Sequence, residues 1–259
     1  MKYNQPISFK QRLQSGVPQI GIRTQLCSPI AVEALGFCGF DFVYIDMEHA
    51  PNNLMLVLQQ CQAVAGTPAV PLVRLPANDI VLIQQLLDVG IENLVIPMVE
   101  TVEDAKAAAS AIRFPPKGIR SVAGVHRGNQ YGALQNYNEI VDDRISLIVQ
   151  LESRAAIGRV AEISRVDGVA GVLFGPADLA ADFGFIGQNE HPDVRKAMEK
   201  AILEIRAAGK FAGMSTGEPA RGRDWIAKGC SFVSVGGDVK MLTTAARHAA
   251  AASRVDAAQ

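Results

Sequence analysis

Aromatic residues are scarce in this chain, at 6% of positions with a single tryptophan, and neither sign of charge is in excess, with 25 Lys and Arg against 26 Asp and Glu. A balanced charge gives none of the basic field that nucleic acid or an anionic membrane surface needs, so the expected partner is a small molecule. The four cysteines, Cys27, Cys38, Cys61 and Cys230, are far apart and lie in apolar runs. With no C-x-x-C pair among them, neither a zinc site nor a redox dithiol is indicated, and free thiols are expected. Nothing approaches the roughly 18 uninterrupted apolar residues of a membrane span, and the opening MKYNQPISFKQRLQSG lacks the apolar segment of a secretory signal. A cytoplasmic location is the expectation. Repeats, low-complexity tracts and interdomain linkers are also missing, so residues 1–259 are read as one domain.

What is abundant is aliphatic: 49% of the residues are hydrophobic, mostly Ala, Val, Ile and Leu, which suits helices packed on a buried parallel sheet. Short apolar β-type runs alternate with longer helical patterns along the whole chain. The strand candidates are Gly21 to Cys27, Asp41 to Met47, Ala69 to Leu75, Asn93 to Val99, Ile145 to Leu151, Val169 to Phe174, Phe211 to Ser215 and Ser231 to Gly236. Eight such units predict an α/β fold of the closed (β/α)8, or TIM, barrel type. Helical spacing is clear over Asn78 to Val89, Thr101 to Arg113 and Asp193 to Ala208. Thr101 with Asp104 predicts a capping box, His191-Pro192 a helix start, and Gly90 and Gly209 helix ends. The segment from Phe114 to Tyr137 breaks the rhythm, and loops of that length in a barrel are usually functional.

In such a barrel the active site lies at the C-terminal ends of the strands, so charged residues that end apolar strands are the candidates. Strand two ends in Asp46, Glu48 and His49, strand three in Arg74, strand five in Gln150 and Glu152, and strand six in Gly175, Pro176, Ala177 and Asp178. Glu152 and Asp178, on neighbouring strands, suit one hard divalent cation such as Mg or Mn, with water completing its shell. The alternatives for either acid are capping the next helix or pairing with Arg154. Arg74 ends a strand too apolar to hold an unpaired guanidinium. It is expected to bind a substrate carboxylate or enolate oxygen, or else to pair with Asp46 or Glu48. His49 is placed to act as a general base or acid, with Asp88 a candidate to orient its imidazole. The glycines of GPAD and VGGD suggest phosphate loops, but Asp238 beside Gly236-Gly237 argues against a dianion there. The backbone of Gly175 to Asp178 is read instead as receiving a single carboxylate. No strand candidate ends in the lysine that a Schiff-base mechanism needs.

Seven stretches, GFDFVYIDMEHAPNN, VRLPANDIVLIQQLLDVG, IPMVETVEDAKAA, RFPPKGIRSVAGVHRGNQYG, IVQLES, VLFGPADLAADFG and FVSVGGDV, together resemble the HpcH/HpaI aldolase family of metal-dependent pyruvate aldolases. HRGNQYG is most similar to the 2-dehydro-3-deoxyglucarate aldolase branch, with the 4-hydroxy-2-oxoheptanedioate aldolases as close relatives. The resemblance implies a (β/α)8 barrel whose last helix is exchanged with a neighbouring subunit, a homo-hexamer, and Mg, Mn or Co. It implies Glu152 and Asp178 as metal ligands, Arg74 as the pyruvate-binding and enolate-stabilising arginine, and His49 with Asp88 as an acid-base pair. Gln150 and Gly175 to Asp178 would complete the pyruvate site. The expected reaction is cleavage of a 4-hydroxy-2-oxo acid of the 2-dehydro-3-deoxyglucarate type to pyruvate and an aldehyde such as tartronate semialdehyde, with 4-hydroxy-2-oxoheptanedioate or another 2-keto-3-deoxy acid as the alternative substrate. A 2-oxo acid decarboxylase and a metabolite-binding oligomer without activity are the alternatives. Met47, where many relatives have Gly, and the MSTGE segment Met214 to Glu218 depart from the pattern and bear on the aldehyde. Ser215, Thr216, Arg221 and Arg223 are the residues to watch there.

Overall fold

The computed structural model describes residues 7–254, in which eight parallel strands close into a barrel in chain order. The strands are β1 (Gln19–Thr24), β2 (Phe42–Asp46), β3 (Val70–Arg74), β4 (Asn93–Ile96), β5 (Ser146–Leu151), β6 (Val169–Phe174), β7 (Phe211–Ser215) and β8 (Phe232–Gly237). The helices among the described residues are α1 (Phe9–Gln14), α2 (Pro29–Gly36), α3 (Leu54–Val64), α4 (Ile80–Asp88), α5 (Val102–Ala111), α6 (Tyr137–Arg144), α7 (Arg154–Gly158), α8 (Val160–Ser164), α9 (Pro176–Asp182), α10 (Pro192–Ala207), α11 (Pro219–Ala227) and α12 (Asp238–Ala252). No described helix is long and apolar enough to cross a membrane.

The predicted start signals operate as expected. Thr101 and Asp104 form the reciprocal capping box of α5, His191 caps α10, and Gly90 and Gly209 follow their helices at positive φ. Boundaries differ where the chain turns early. β1 stops at Thr24, not Cys27, because the carboxylate of Asp238 takes the backbone N–H groups of Gln25 (2.9 Å) and Leu26 (3.0 Å). Those donors are then lost to any strand ladder, and Cys27 lies at φ 53°. β4 stops at Ile96, because Met98 adopts φ 54° and gives its N–H to Glu152 at 2.9 Å.

Two apolar layers hold the barrel. The outer one lies between strands and helices and is built of aliphatic residues such as Val57, Ile83, Leu86, Val149, Ile202 and Val233. The inner one contains Phe42, Tyr44, Leu72, Val95, Ile148, Leu173 and Phe232, and is closed at the N-terminal end by Phe9 and Leu13 of α1. Phe9 meets Phe42 and Phe232 edge-on, with centroids 5.4 and 5.9 Å apart. Such pairs each add about 1 kcal/mol beyond area burial. Gly21 and Gly213 make room for these rings. A Cβ at Gly21 would come within 2.2 Å of Phe42, and one at Gly213 within 2.1 Å of Phe232. Bulky residues at the closed end leave the polar ones to fill the open end, the usual division in this architecture.

The irregular stretch after α5 lies away from the open end. α4 and α5 both run back from the mouth, and Arg120, buried and placed over the rings of Phe114 and Tyr137, pins the segment against the end of α4. Helix α12 differs from the others: only Asp238 in it is buried, while Val239, Met241 and Leu242 are exposed.

Candidate active site

A cavity of about 330 Å³ opens at the C-terminal ends of the strands, within the usual range for a small-molecule site. His49, Arg74, Gln150 and the turn Gly175 to Asp178 line it together. Each was a candidate from strand-end position alone.

Asp46 and Arg74 are opposed in the β2–β3 register. The guanidinium forks onto the carboxylate, Nε donating to Oδ1 at 3.0 Å and Nη2 to Oδ2 at 2.6 Å, and Nη1 lies 2.7 Å from Oε2 of Glu48. Both proposed roles of Arg74 are therefore compatible: it is ion-paired and it still faces the cavity. Two of its five N–H donors bond Asp46, and Nη1 pairs with Glu48 by charge without a hydrogen bond, which leaves N–H groups on the terminal nitrogens for a substrate oxygen. Burial works against the charge on Asp46. The Arg74 hydrogen bonds and charge, with backbone N–H groups of Glu48 and His49, outweigh it and hold that carboxyl below the usual range. Burial also opposes the Arg74 charge, and Tyr44, Asp46 and Glu48 keep it protonated beyond the ordinary arginine range.

Glu152 is buried at the end of β5. Its Oε1 accepts from the Gln150 amide in a short hydrogen bond, and Tyr44 donates its hydroxyl to Gln150 Oε1 at 3.2 Å. Desolvation raises the Glu152 carboxyl, and the charges of Glu48 and Asp178 raise it further against the Gln150 and Met98 donors. Asp178, in the first turn of α9, is exposed to the cavity and has no hydrogen bond or ion pair within the described residues. Arg154, the suggested competitor, pairs with Asp182 instead. Two oxygen donors of like charge, one buried and one unpartnered, fit a hard divalent cation. Among the described residues no group of three or more His, Cys, Asp or Glu could hold a metal alone, so substrate and water would supply the other ligands. Gly175 has to be glycine here, since a Cβ would come within 2.7 Å of Glu152 Oε1.

The pairing of His49 with Asp88 does not form within the chain. His49 is half-exposed at the mouth, its Nε2 3.8 Å from Glu48 Oε2. Asp88 ends α4, whose nine residues carry it roughly 13 Å toward the other rim. There it accepts from Arg120 Nη2 at 2.9 Å and lies 3.9 Å from His126 Nδ1. Asp238 is also not where the sequence argument put it. Its carboxylate is buried, accepts from the N–H groups of Gln25, Leu26 and Val239, and does not line the cavity. Ser215 and Thr216 line the mouth, whereas Arg221 is turned to Glu190 and Glu218, and neither it nor Arg223 reaches the cavity. Arg23, Gln25, Tyr44, Asn189 and Lys240 line the cavity without having been singled out. Only correct strand ends and the curvature of β1 and β8 would have pointed to them.

Residues 19–245 match the HpcH/HpaI aldolase/citrate lyase family. A 4-hydroxy-2-oxo-heptane-1,7-dioate aldolase of Salmonella heidelberg (strain SL476) is 44% identical over 245 residues, 94% of this chain and 93% of that one. Among solved structures, an HpcH/HpaI aldolase/citrate lyase family protein from Burkholderia cenocepacia J2315 superposes with TM-score 0.90 at 37% identity, covering 95% of this chain and 98% of that one. The citrate synthase SbnG gives TM-score 0.86 at 25% identity over 95% and 97% of the two chains. With the barrel, the strand-end acids and the clamped arginine, these likenesses establish that the chain belongs to the HpcH/HpaI aldolase/citrate lyase family of carbon–carbon lyases.

Proposed function

We propose that the enzyme cleaves a 4-hydroxy-2-oxo acid of the 4-hydroxy-2-oxoheptanedioate type to pyruvate and an aldehyde, and catalyses the reverse addition. The observation that carries this reading is that Asp178 and the Arg74 fork line one cavity, with the buried Glu152 directly behind the Gln150 and Gly175 that also line it. The relatives at 44% identity bear the name of that substrate, so the reading follows them and not the dehydro-deoxy-glucarate branch suggested by HRGNQYG. Breaking the C3–C4 bond of this seven-carbon dioate gives pyruvate and succinic semialdehyde.

A divalent cation, Mg, Mn or Co, held by Glu152 and Asp178 would supply Lewis acidity to the carboxylate and ketone of the 2-oxo acid. The N–H groups of Arg74 not taken by Asp46 donate to the oxygen that becomes negative as the bond breaks, and the Asp46 fork holds them there beforehand. Gln150 keeps Glu152 in place while Tyr44 keeps Gln150 in place. The backbone from Gly175 to Asp178 lies open to the substrate carboxylate. His49 takes the proton from the C4 hydroxyl as the aldehyde forms. The exposed apolar residues of α12 support the proposal that this helix packs on a neighbouring copy within a hexamer.

The test is pyruvate release from 4-hydroxy-2-oxoheptanedioate with and without Mg or Mn, in the wild type, Arg74→Ala and Glu152→Ala. Metal-dependent release that drops at least about 100-fold in both variants is expected, as for loss of a charge-stabilising group. Carbon dioxide without aldehyde would mark a decarboxylase, and no turnover of any 2-oxo acid would leave only a binding role.

A further inference from the structure

We propose that Arg23 and Lys240 form a second subsite in the same cavity, which binds an anionic group at the far end of the aldehyde. The proposal rests on the aldol reading above and adds to it the residues that choose the aldehyde.

Charge is divided unevenly around the mouth. In a closed barrel in chain order, β1 lies across from β5 and next to β8. On the β2, β3, β5 and β6 side stand Asp46, Glu48, Glu152 and Asp178, with Arg74 the cation set among them. On the β1 and β8 side stand Arg23 and Lys240, both lining the cavity. Arg23 is half-buried, and among the described residues its guanidinium has no hydrogen bond and no ion pair. Its register neighbour is Tyr44, whose hydroxyl is already committed to Gln150. Among the described residues the Lys240 ammonium makes one hydrogen bond, to the carbonyl of Gly217 at 3.5 Å, and no ion pair.

The nearby acid that would neutralise this pair does not do so. Asp238 is two residues from Lys240, yet three backbone N–H groups occupy it, and in taking them it bends the chain after β1 beside Arg23. Gly217, Gly236 and Gly237 line the same cavity and carry no side chain into the space. A half-buried guanidinium without a partner is costly to maintain, and an anion supplied by the substrate would offset that cost. A 2-oxo acid with its keto end at Glu152 and Asp178 would run its other end across the mouth toward Arg23 and Lys240. The recognised class is an aldehyde ending in a carboxylate or a phosphate.

The experiment is aldol addition with pyruvate as donor and four acceptors: succinic semialdehyde, its neutral counterpart butanal, glyceraldehyde 3-phosphate, and glyceraldehyde. The readout is the ratio of kcat/KM for each anionic acceptor to that for its neutral partner, which a general loss of active enzyme leaves unchanged. The wild type is expected to favour at least one anionic acceptor. Arg23→Met and Lys240→Met should each lower that ratio about 10-fold, mainly through KM, and Arg23→Lys should restore part of it, as for loss of a charged hydrogen bond. A higher ratio in the succinic semialdehyde pair identifies a carboxylate, and a higher ratio in the phosphate pair a phosphate. If products form from all acceptors and the ratios in the variants equal those of the wild type, the subsite is refuted while the aldol reading stands. If the wild type forms no product from any acceptor, the aldol reading falls and takes the subsite with it.

Discussion

Replacing Asp46 by asparagine is the sharpest test of how this site is built. The carboxylate is 0% exposed and Arg74 only 4%, so the change leaves a largely buried guanidinium facing an amide. Removing one member of a buried ion pair costs ~3–5 kcal/mol. Glu48 stays 2.7 Å from Nη1 of Arg74, which places this case near the lower end, about 3 kcal/mol. For a chain of this size, roughly 2–4 °C of Tm is lost per kcal/mol, so a drop of ~6–12 °C is expected at neutral pH. The sign with pH follows from the depressed Asp46 carboxyl. Its contribution is complete above the ordinary value of about 3.9 and is lost as pH falls through the lower folded value. The Tm gap between wild type and Asp46→Asn should therefore be steady from neutrality to mild acid and shrink below about pH 4. Pyruvate formation should fall as well, by ~10–100-fold, because Arg74 loses the fork that aims it. Thermal melts followed by circular dichroism at a series of pH values supply the gap, and a coupled pyruvate assay supplies the rate. A Tm within 2 °C of the wild type at neutral pH, or a gap that persists undiminished to pH 3, would refute the reasoning, the thresholds being about a third of the smallest expected effect and a value below the ordinary carboxyl range.

Two further outcomes concern the core. Gly213→Ala places a methyl group within 2.1 Å of the Phe232 ring and should cost ~1–3 kcal/mol by overpacking. Gly158→Ala, where nothing lies within 4 Å, should leave Tm equal or higher, and equal Tm values for the two variants would contradict the inner packing. Burial pushes the Cys61 and Cys230 thiols up to about 12, whereas Cys38 is exposed. In a thiol titration at pH 8, Cys38 should react at once and the other two only after denaturant is added, with prompt labelling of all three the contrary result.

The eight strands were legible because a parallel sheet covered on both faces must be built from near-continuous apolar runs, and such runs are hard to imitate in a chain of this composition. Residues that end those runs were legible for the same reason. A charge at the edge of an aliphatic strand has to emerge at a rim, which is why Arg74, Asp178 and His49, proposed from position alone, line the cavity at the strand ends. Contacts between units were not legible. Asp88 was paired with His49 although a descending helix separates them, because sequence spacing records how far apart two residues are along the chain and not at which end of the barrel each one emerges.

Arg23 illustrates the most consequential omission. β1 was expected to continue to Cys27, which would have put Arg23 in mid-strand and Gln25 and Leu26 in the ladder. The strand stops at Thr24 because Asp238, more than two hundred residues later in the chain, takes the next two N–H groups. That long-range capture leaves Arg23 next to the end of β1, where it lines the cavity, and keeps out of the lining the carboxylate that had argued against an anion there. The same residue therefore misled the sequence argument twice, once about where a strand ends and once about which charge the substrate meets. The two errors share a cause: the Asp238 carboxylate is held among backbone donors, buried, and does not line the cavity. Strand-end rules find the residues that do the chemistry, since those must sit at the rim of their own strand. The residues that select the substrate depend on how the last strand closes against the first, which no local pattern encodes.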